Sequence, residues 1–372
     1  MTKDIRALTG IRGAAAAIIV LYHFGQVYLF DGGRLAYFPI PHGYLPVDLF
    51  FMLSGYVIAL TYQHAFDSEK FEHFLIFLVK RVARLYPAYL AIGLLYILKI
   101  VVGLSGNDTL AMFSPYDVVG NFLMLTGWGL HIKPLMGVSW AASAEMGSYL
   151  LVPLLIAVAI RRSPLVCALV GVAAFVGIVA INASGKGANG PLDVTSGDSF
   201  YPLLRAIVGF AMGMVIFRFA DHLDRLSAMM QDVLLAVVLA VIFLLAFTIT
   251  ADLPIYLLFI VLVALLSRDG RLAQLLFGNA PIYHIGMISY SIYLIHPLFV
   301  SFAVHGWRSF GQTGIAYVLS AGACFVVIWL LAELSYRFVE MPGRALVMHL
   351  FERKTKNSGK SPNKPTNKNA PE

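Results

Sequence analysis

Charge is what this sequence has least of. Asp, Glu, Lys and Arg make up 13% of its 372 residues, against roughly 25% in a soluble domain. Cysteine is almost absent. Cys167 and Cys324 both fall in apolar stretches, so they read as small buried hydrophobes. That excludes a disulfide framework and gives no support to a cysteine nucleophile. No CxxC or HExxH pattern occurs, so no metal site is expected. What replaces charge is apolar surface: 59% of residues are hydrophobic and the mean hydropathy is +0.79. These values define a membrane protein built as one bundle of helices. The net charge of +7 does not point to nucleic acid. Lys and Arg gather at the ends of apolar segments and in the tail, where the positive-inside rule puts them.

Apolar segments of spanning length fall at about 8–30, 44–64, 85–104, 139–160, 164–183, 201–219, 231–250, 253–267, 282–303 and 314–339. Lys3 and Arg6 place the N-terminus in the cytoplasm and make the first segment a retained signal-anchor helix. Lys70, Lys80, Arg81 and Arg84 then fall inside, as do Arg161 and Arg162. Both can hold only if 117–130, too short to cross, dips in and returns or lies at the interface. The expected fold is therefore an all-α polytopic membrane protein. It has about ten transmembrane helices plus one re-entrant or interfacial segment, with both termini cytoplasmic. Residues 1–351 form the transmembrane domain. Residues 352–372, rich in Lys, Asn, Pro and Ser, read as a disordered basic tail near anionic lipid. No internal repeat is visible.

Few polar residues interrupt the apolar segments, and those few are the candidate site. Arg12 and His23 share the first segment, eleven residues apart. Eleven steps of about 100° return a helix to within roughly 20° of its starting face, and about 1.5 Å per residue separates the pair by roughly 16 Å. One face thus carries a permanent cation at one depth and an imidazole at the other. Ionisable groups at membrane depth mark functional sites by default. Glu145, about six residues into its segment from outside, falls at a depth similar to that of His23. An imidazole beside a carboxylate is a general base oriented by an acid; the competing reading is a buried pair that only packs two helices. Arg81 and Arg84 are three apart and can share a face. With Lys80 before them and Tyr86 after, they form either a topology anchor or a site for a polyanion. Asp48 can cap its helix. His296-Pro297 should kink its span. Arg337 can pair with Glu340 at i,i+3. Arg205, near the outer end of its span, reads as an interfacial snorkeller.

These segments together resemble the membrane-bound acyltransferase-3 family. The resemblance rests on six stretches in the family's order. They are Gly10-Ile11-Arg12-Gly13 through Leu21-Tyr22-His23, Val47-Asp48-Leu49-Phe50-Phe51-Met52-Leu53-Ser54-Gly55-Tyr56 and Arg81-Val82-Ala83-Arg84-Leu85-Tyr86-Pro87. Then come Ser139-Trp140-Ala141-Ala142-Ser143-Ala144-Glu145, Ser289-Tyr290-Ser291-Ile292-Tyr293-Leu294-Ile295-His296 and Phe338-Val339-Glu340-Met341-Pro342. Ala141 departs from the family's usual Ser, and Met146-Gly147 follow Glu145 where more polar residues are common.

The resemblance implies a bacterial inner-membrane O-acyltransferase acting on exported polysaccharide. Its donor would be a cytoplasmic acyl-CoA, acetyl-CoA first and succinyl-CoA as the alternative, since exopolysaccharide succinyltransferases share this size and plan. Arg12, Lys80, Arg81, Arg84 and Tyr86 are then the candidate donor-binding residues. His23 is the expected general base and Glu145 its support. Asp48, Trp140, Ser143, His296 and Arg205 are the candidates for substrate contact, with Arg205, then Lys133, as the cation that a succinyl carboxylate would need. The acceptor would be an extracytoplasmic or lipid-linked glycan. Any relay esterase is expected to be a separate protein. An acyl-histidine intermediate is the mechanistic alternative. The competing function is a transporter or flippase for a glycan or anion, which would be expected to show paired halves.

Overall fold

The computed structural model describes residues 4–30, 41–64, 66, 71–104, 109–248 and 251–357. Lys3, Arg34, Lys70 and the tail beyond 357 lie outside the described residues. Among the described residues the chain is all helical, 79% helix with no strand. Six helices are long and apolar enough to cross a membrane, or eight if two bent pairs each count as one span. This is a membrane protein.

The first half comprises α1 (Arg6–Phe30), α2 (Pro46–Tyr62), α3 (Phe71–Val101), α4 (Pro115–Phe122), α5 (Ser139–Leu150), α6 (Val152–Leu155) and α7 (Pro164–Ala183). The second half comprises α8 (Tyr201–Phe219), α9 (Ala228–Leu245), α10 (Asp252–Ser267) and α11 (Arg271–Ala273). It continues with α12 (Ala280–Met287), α13 (Ser289–Ile295), α14 (Pro297–Ser309), α15 (Gly314–Ser335) and α16 (Met341–Asn357). The chain bends by 59° between α5 and Val152–Ile160, and by 98° between α10 and Arg271–Gly278. Each of those second limbs carries a π-helical turn, Ile156–Ile160 and Gln274–Gly278. A third π turn, Tyr336–Glu340, joins α15 to α16.

Three segments depart from the expected spans. α2 is apolar but only 17 residues long. The stretch expected to cross as 282–303 is divided among α12, α13 and α14. Pro297 opens α14, where its missing N–H breaks no intrahelical bond. Ser289 Oγ donates to the Gly286 carbonyl (2.8 Å) at the other break. α16 continues to Asn357, past the boundary expected near 352.

The expected short segment 117–130 contains α4, whose eight residues span about 12 Å and cannot cross as a helix. Ser114 and Asp117 cap it reciprocally: Ser114 Oγ accepts from the Asp117 N–H and an Asp117 carboxylate oxygen accepts from the Ser114 N–H. Tyr116, Val119 and Leu123 leave apolar surface exposed at i, i+3 and i+7.

Bundle faces divide into glycine-mediated crossings and unpartnered apolar surface. A Cβ at Gly55 would stand 2.2 Å from the Phe210 carbonyl oxygen, and one at Gly213 only 2.1 Å from that of Met52. α2 and α8 therefore touch backbone to backbone, as small residues allow in membranes. Gly10 brings α1 equally close to the π turn: its Cβ would stand 1.8 Å from the Phe277 carbonyl oxygen. Leu165, Leu169, Val172 and Val176 on α7 are each 58–70% exposed along one stripe. Water would not tolerate that stripe, whereas hydrocarbon would.

Candidate active site

The glycine contacts that seat α1 fix the height of both its polar residues. Arg12 opens into a cavity of about 360 Å³ at the N-terminal end of α1. Arg81 and Arg84 reach it from α3 and Arg344 from α16, against the carboxylates of Asp4 and Glu340. Arg12, Arg84 and Arg344 make no hydrogen bond or ion pair with protein groups among the described residues. Arg81 is held differently. Its guanidinium lies over the rings of Tyr62, Phe77 and Tyr149, 5.2, 5.5 and 5.8 Å from their centroids. Its NH2 donates to Tyr62 Oη (3.0 Å), while its buried Nε has no partner. Planar, fixed guanidinium groups with free N–H donors suit phosphate oxygens.

A narrow cavity of about 40 Å³ continues from this chamber and shares Arg12, Ser54 and Tyr290 with it. Its walls are Val47, Phe50, Phe51, Ala141 and Ala142, and it reaches Tyr293, one turn before His296. The Tyr293 ring lies 5.9 Å from that of His296, centroid to centroid.

His23 does not meet Glu145. Its Nδ1 lies 2.9 Å from the Ile19 carbonyl oxygen and 3.2 Å from Nε2 of His296. His296 is wholly buried, and its Nδ1 lies 2.7 Å from the Tyr293 carbonyl oxygen. A carbonyl only accepts, so His296 carries its proton on Nδ1, and its Nε2 is a bare acceptor when the ring is neutral. His23 Nδ1 faces two acceptors, Ile19 O and His296 Nε2, and must carry the proton. The lone pair of His23 is thereby fixed on Nε2, the nitrogen that no group holds among the described residues.

Glu145 instead accepts from Ser54 Oγ (2.9 Å) and Tyr149 Oη (2.6 Å), beside Arg12. Its expected depth was wrong because α5 does not start at a membrane surface. Val138, just before α5, already accepts from Tyr293 Oη at 3.0 Å. The seven residues from there to Glu145 carry it about 10 Å further, to the level of Arg12.

Other expected site residues divide in the same way. Asp48 is not a cap. It forms a wholly buried, two-pronged ion pair with Arg205: Nε to Oδ1 at 2.8 Å and NH2 to Oδ2 at 2.6 Å. Arg205 therefore does not snorkel. Its guanidinium also lies 5.4 Å from the Trp140 ring centroid. Ser143 Oγ donates to the Met124 carbonyl (2.6 Å) and accepts from the Gly127 N–H (3.0 Å), so it ties down the loop before α5. Lys80 is exposed and Tyr86 packs against the core; neither lines the chamber. Arg337 pairs with Glu333 rather than Glu340, whose carboxylate accepts from Ser291. Lys133 lies over the Phe113 ring, 4.8 Å from its centroid, at the α4 loop.

Two groups of polar residues had no sequence signal. Arg344 was hidden in the polar run after the last span. At the far end of α1, Tyr44 Oη and His42 Nδ1 each lie 2.6 Å from Asp252 Oδ1. Tyr22 and Asn189 both bond Asp193, at 3.5 and 2.7 Å. Isolated acids in loops carry no periodicity, and only the fold brings them together.

The family description "Acyltransferase domain" matches residues 5–333, nearly nine-tenths of the chain. The chain belongs to the acyltransferase-3 family. A Staphylococcus aureus (strain COL) relative named "Putative O-acetyltransferase" is 24% identical over 367 residues, covering 92% of this chain and 58% of its own. A Komagataeibacter xylinus relative named "Putative membrane-bound transacylase BcsY" is 24% identical over 346 residues, 85% of this chain and 80% of its own. "Protein 2 in picA locus" of Rhizobium radiobacter is 37% identical over 129 residues, 32% of this chain and 60% of its own. The chain spans just under three-fifths of the length of the staphylococcal relatives. No solved structure matches. Membership of this acyltransferase-3 family does not favour the transporter reading. The match ends at residue 333, so four residues that line the chamber, Tyr336, Glu340, Met341 and Arg344, lie beyond it.

Proposed function

We propose that this acyltransferase moves an acetyl group from cytoplasmic acetyl-CoA to a sugar hydroxyl of an exported bacterial polysaccharide. The observation that carries the reading is the arginine-lined chamber whose neck reaches Tyr293, beside a histidine pair in which Nε2 of His23 has no partner among the described residues. The nucleotide phosphates of the donor occupy the chamber against Arg12, Arg81, Arg84 and Arg344. The neutral pantetheine arm extends through the neck past Ser54 and Tyr290. The thioester then arrives near His23, roughly 16 Å from Arg12 along the helix. The sugar hydroxyl enters from the opposite side. His23 Nε2 takes its proton as the oxygen attacks the thioester carbonyl carbon. The carbon–sulfur bond breaks, and the coenzyme A thiolate leaves with the proton from His23. His296 orients the imidazole and fixes its tautomer, the task first expected of Glu145.

Acetyl is favoured over succinyl because Arg205, the cation that a succinyl carboxylate would need, is already matched by Asp48. The S. aureus and K. xylinus relatives named above agree with acyl transfer.

This reading also orients the chain. Counting α2, the two bent pairs and α12 to α14 as spans gives ten. With the chamber facing the cytoplasm, both termini are cytoplasmic and the protein lies in the inner membrane. α4 rests at the outer interface, its exposed Tyr116, Val119 and Leu123 towards lipid.

The test uses purified full-length protein, acetyl-CoA and the envelope polysaccharide of cells lacking the gene. Thiol release that needs the polysaccharide, and that stops in His23→Ala, is expected. Thiol release independent of polysaccharide, or unaffected by His23→Ala, contradicts the reading.

A further inference from the structure

Arg205 carries an observation that the mechanism above leaves unused. Its Nε and NH2 are committed to Asp48, and NH2 also lies 3.4 Å from the Tyr44 carbonyl oxygen. Its NH1 is buried and has no partner among the described residues. A buried guanidinium nitrogen left without an acceptor is costly. It persists where something else supplies the acceptor.

The surroundings identify where NH1 works. On one side, Arg205 packs on Trp140, whose ring meets Phe51 edge-on at 6.3 Å between centroids. Phe51 and the two residues after Trp140 wall the neck that leads from Arg12. On the other side, the Tyr44 ring lies 5.7 Å from Tyr22, and Tyr22 lies 5.2 Å from His23, centroid to centroid. The guanidinium is thus bracketed between the neck wall and the side chains flanking the histidine pair. Asp48 supplies one full negative charge in two-pronged contact. A permanent anion would therefore meet a pair that is already neutral. What remains is one directed N–H donor, suited to a neutral carbonyl that becomes negative only as it reacts.

We infer that NH1 of Arg205 donates to the carbonyl oxygen of the acyl thioester and holds the oxyanion formed on attack. This rests on the acyl-transfer reading above. As the sugar oxygen bonds to the carbonyl carbon, the C=O π pair moves onto the oxygen that NH1 holds. Collapse re-forms the carbonyl and expels the coenzyme A thiolate. The proton held by His23 passes to that thiolate. Asp48 is then a positioning residue that aims the guanidinium.

The test is Arg205→Lys in the full-length protein, assayed with acetyl-CoA and the same polysaccharide. Lysine keeps the ion pair with Asp48 but lacks the planar fork. The expected result is a kcat lower by about 10²–10³, with KM for acetyl-CoA raised by no more than about tenfold. Equal kcat, or a loss confined to KM, overturns the inference while leaving the acyl-transfer reading intact. Wild type without acetyl transfer removes both. Should Arg205→Lys fail to fold, a binding measurement on wild type decides. S-ethyl coenzyme A, a thioether that lacks the carbonyl oxygen, should bind about tenfold more weakly than acetyl-CoA, the loss of one hydrogen bond to a charged donor. Equal affinity for the two overturns the inference.

Discussion

At the scale of residues, the site is an ordered set of unspent hydrogen-bonding groups. Arg12, Arg84 and Arg344 keep free donors in the chamber, and His23 keeps a free lone pair beyond the neck. His296 matters because its own Nδ1 is committed to the Tyr293 carbonyl. His296→Ala removes that constraint and lets His23 adopt the wrong tautomer. A fall in kcat on the order of 10² is expected, with KM for acetyl-CoA unchanged. His296→Gln, whose amide oxygen can accept from His23 Nδ1, should restore part of the rate. A purely packing role for His296 predicts no such rescue. Arg12→Ala should instead raise KM for acetyl-CoA and leave kcat largely intact, as loss of uniform binding does. Steady-state kinetics separates the two. The sequence made Arg12 and His23 legible because one helix carries both and eleven residues define their face. It could not reveal the partner of His23, because His296 comes from the junction of α13 and α14, 273 residues away.

At the scale of elements, glycine contacts set the geometry that those residues need. Gly10 lets α1 lie against the π turn at Phe277, and this position carries Arg12 into the chamber. Gly10→Ala places a methyl group against backbone that cannot yield. It should cost about 1–3 kcal/mol of overpacking, seen as a lower melting temperature of the detergent-solubilised protein. Gly322, where a Cβ would meet nothing, is the control: Gly322→Ala should leave melting unchanged or raised. The capped α4 gives a pH test. The Ser114 hydroxyl, with the Lys133 N–H, holds the Asp117 carboxyl below its ordinary range. A depressed value stabilises the folded state above the ordinary range and is lost as pH falls through the depressed value. Amide exchange in α4 should therefore be protected at neutral pH and lose protection in acid. Asp117→Asn should abolish that pH dependence. The motif with Glu145 was readable in sequence, but its depth was not. Charge patterns locate where helices end at the membrane, whereas α5 begins inside the protein, behind a loop tied down by Ser143.

At the scale of the whole molecule, the chain divides a polar path from an apolar exterior. The exterior was legible from composition alone: few charges, long apolar runs and exposed stripes such as that on α7. The bundle's continuity was less so. Apolar length predicts that a segment enters a membrane, but not that it crosses unbroken, and four breaks fall where three π turns and Pro297 interrupt helices. On the proposed function the donor binds at one end of α1 and the acceptor at the other, so the reaction crosses the bundle. The most direct measurement of that claim is the mass of the exported polysaccharide repeat unit in three strains: wild type, gene deletion and His23→Ala. Loss of one acetyl mass per modified site in both mutants is the result this account predicts. An acetylated repeat unit in the His23→Ala strain, with the protein present in its membrane, would contradict it.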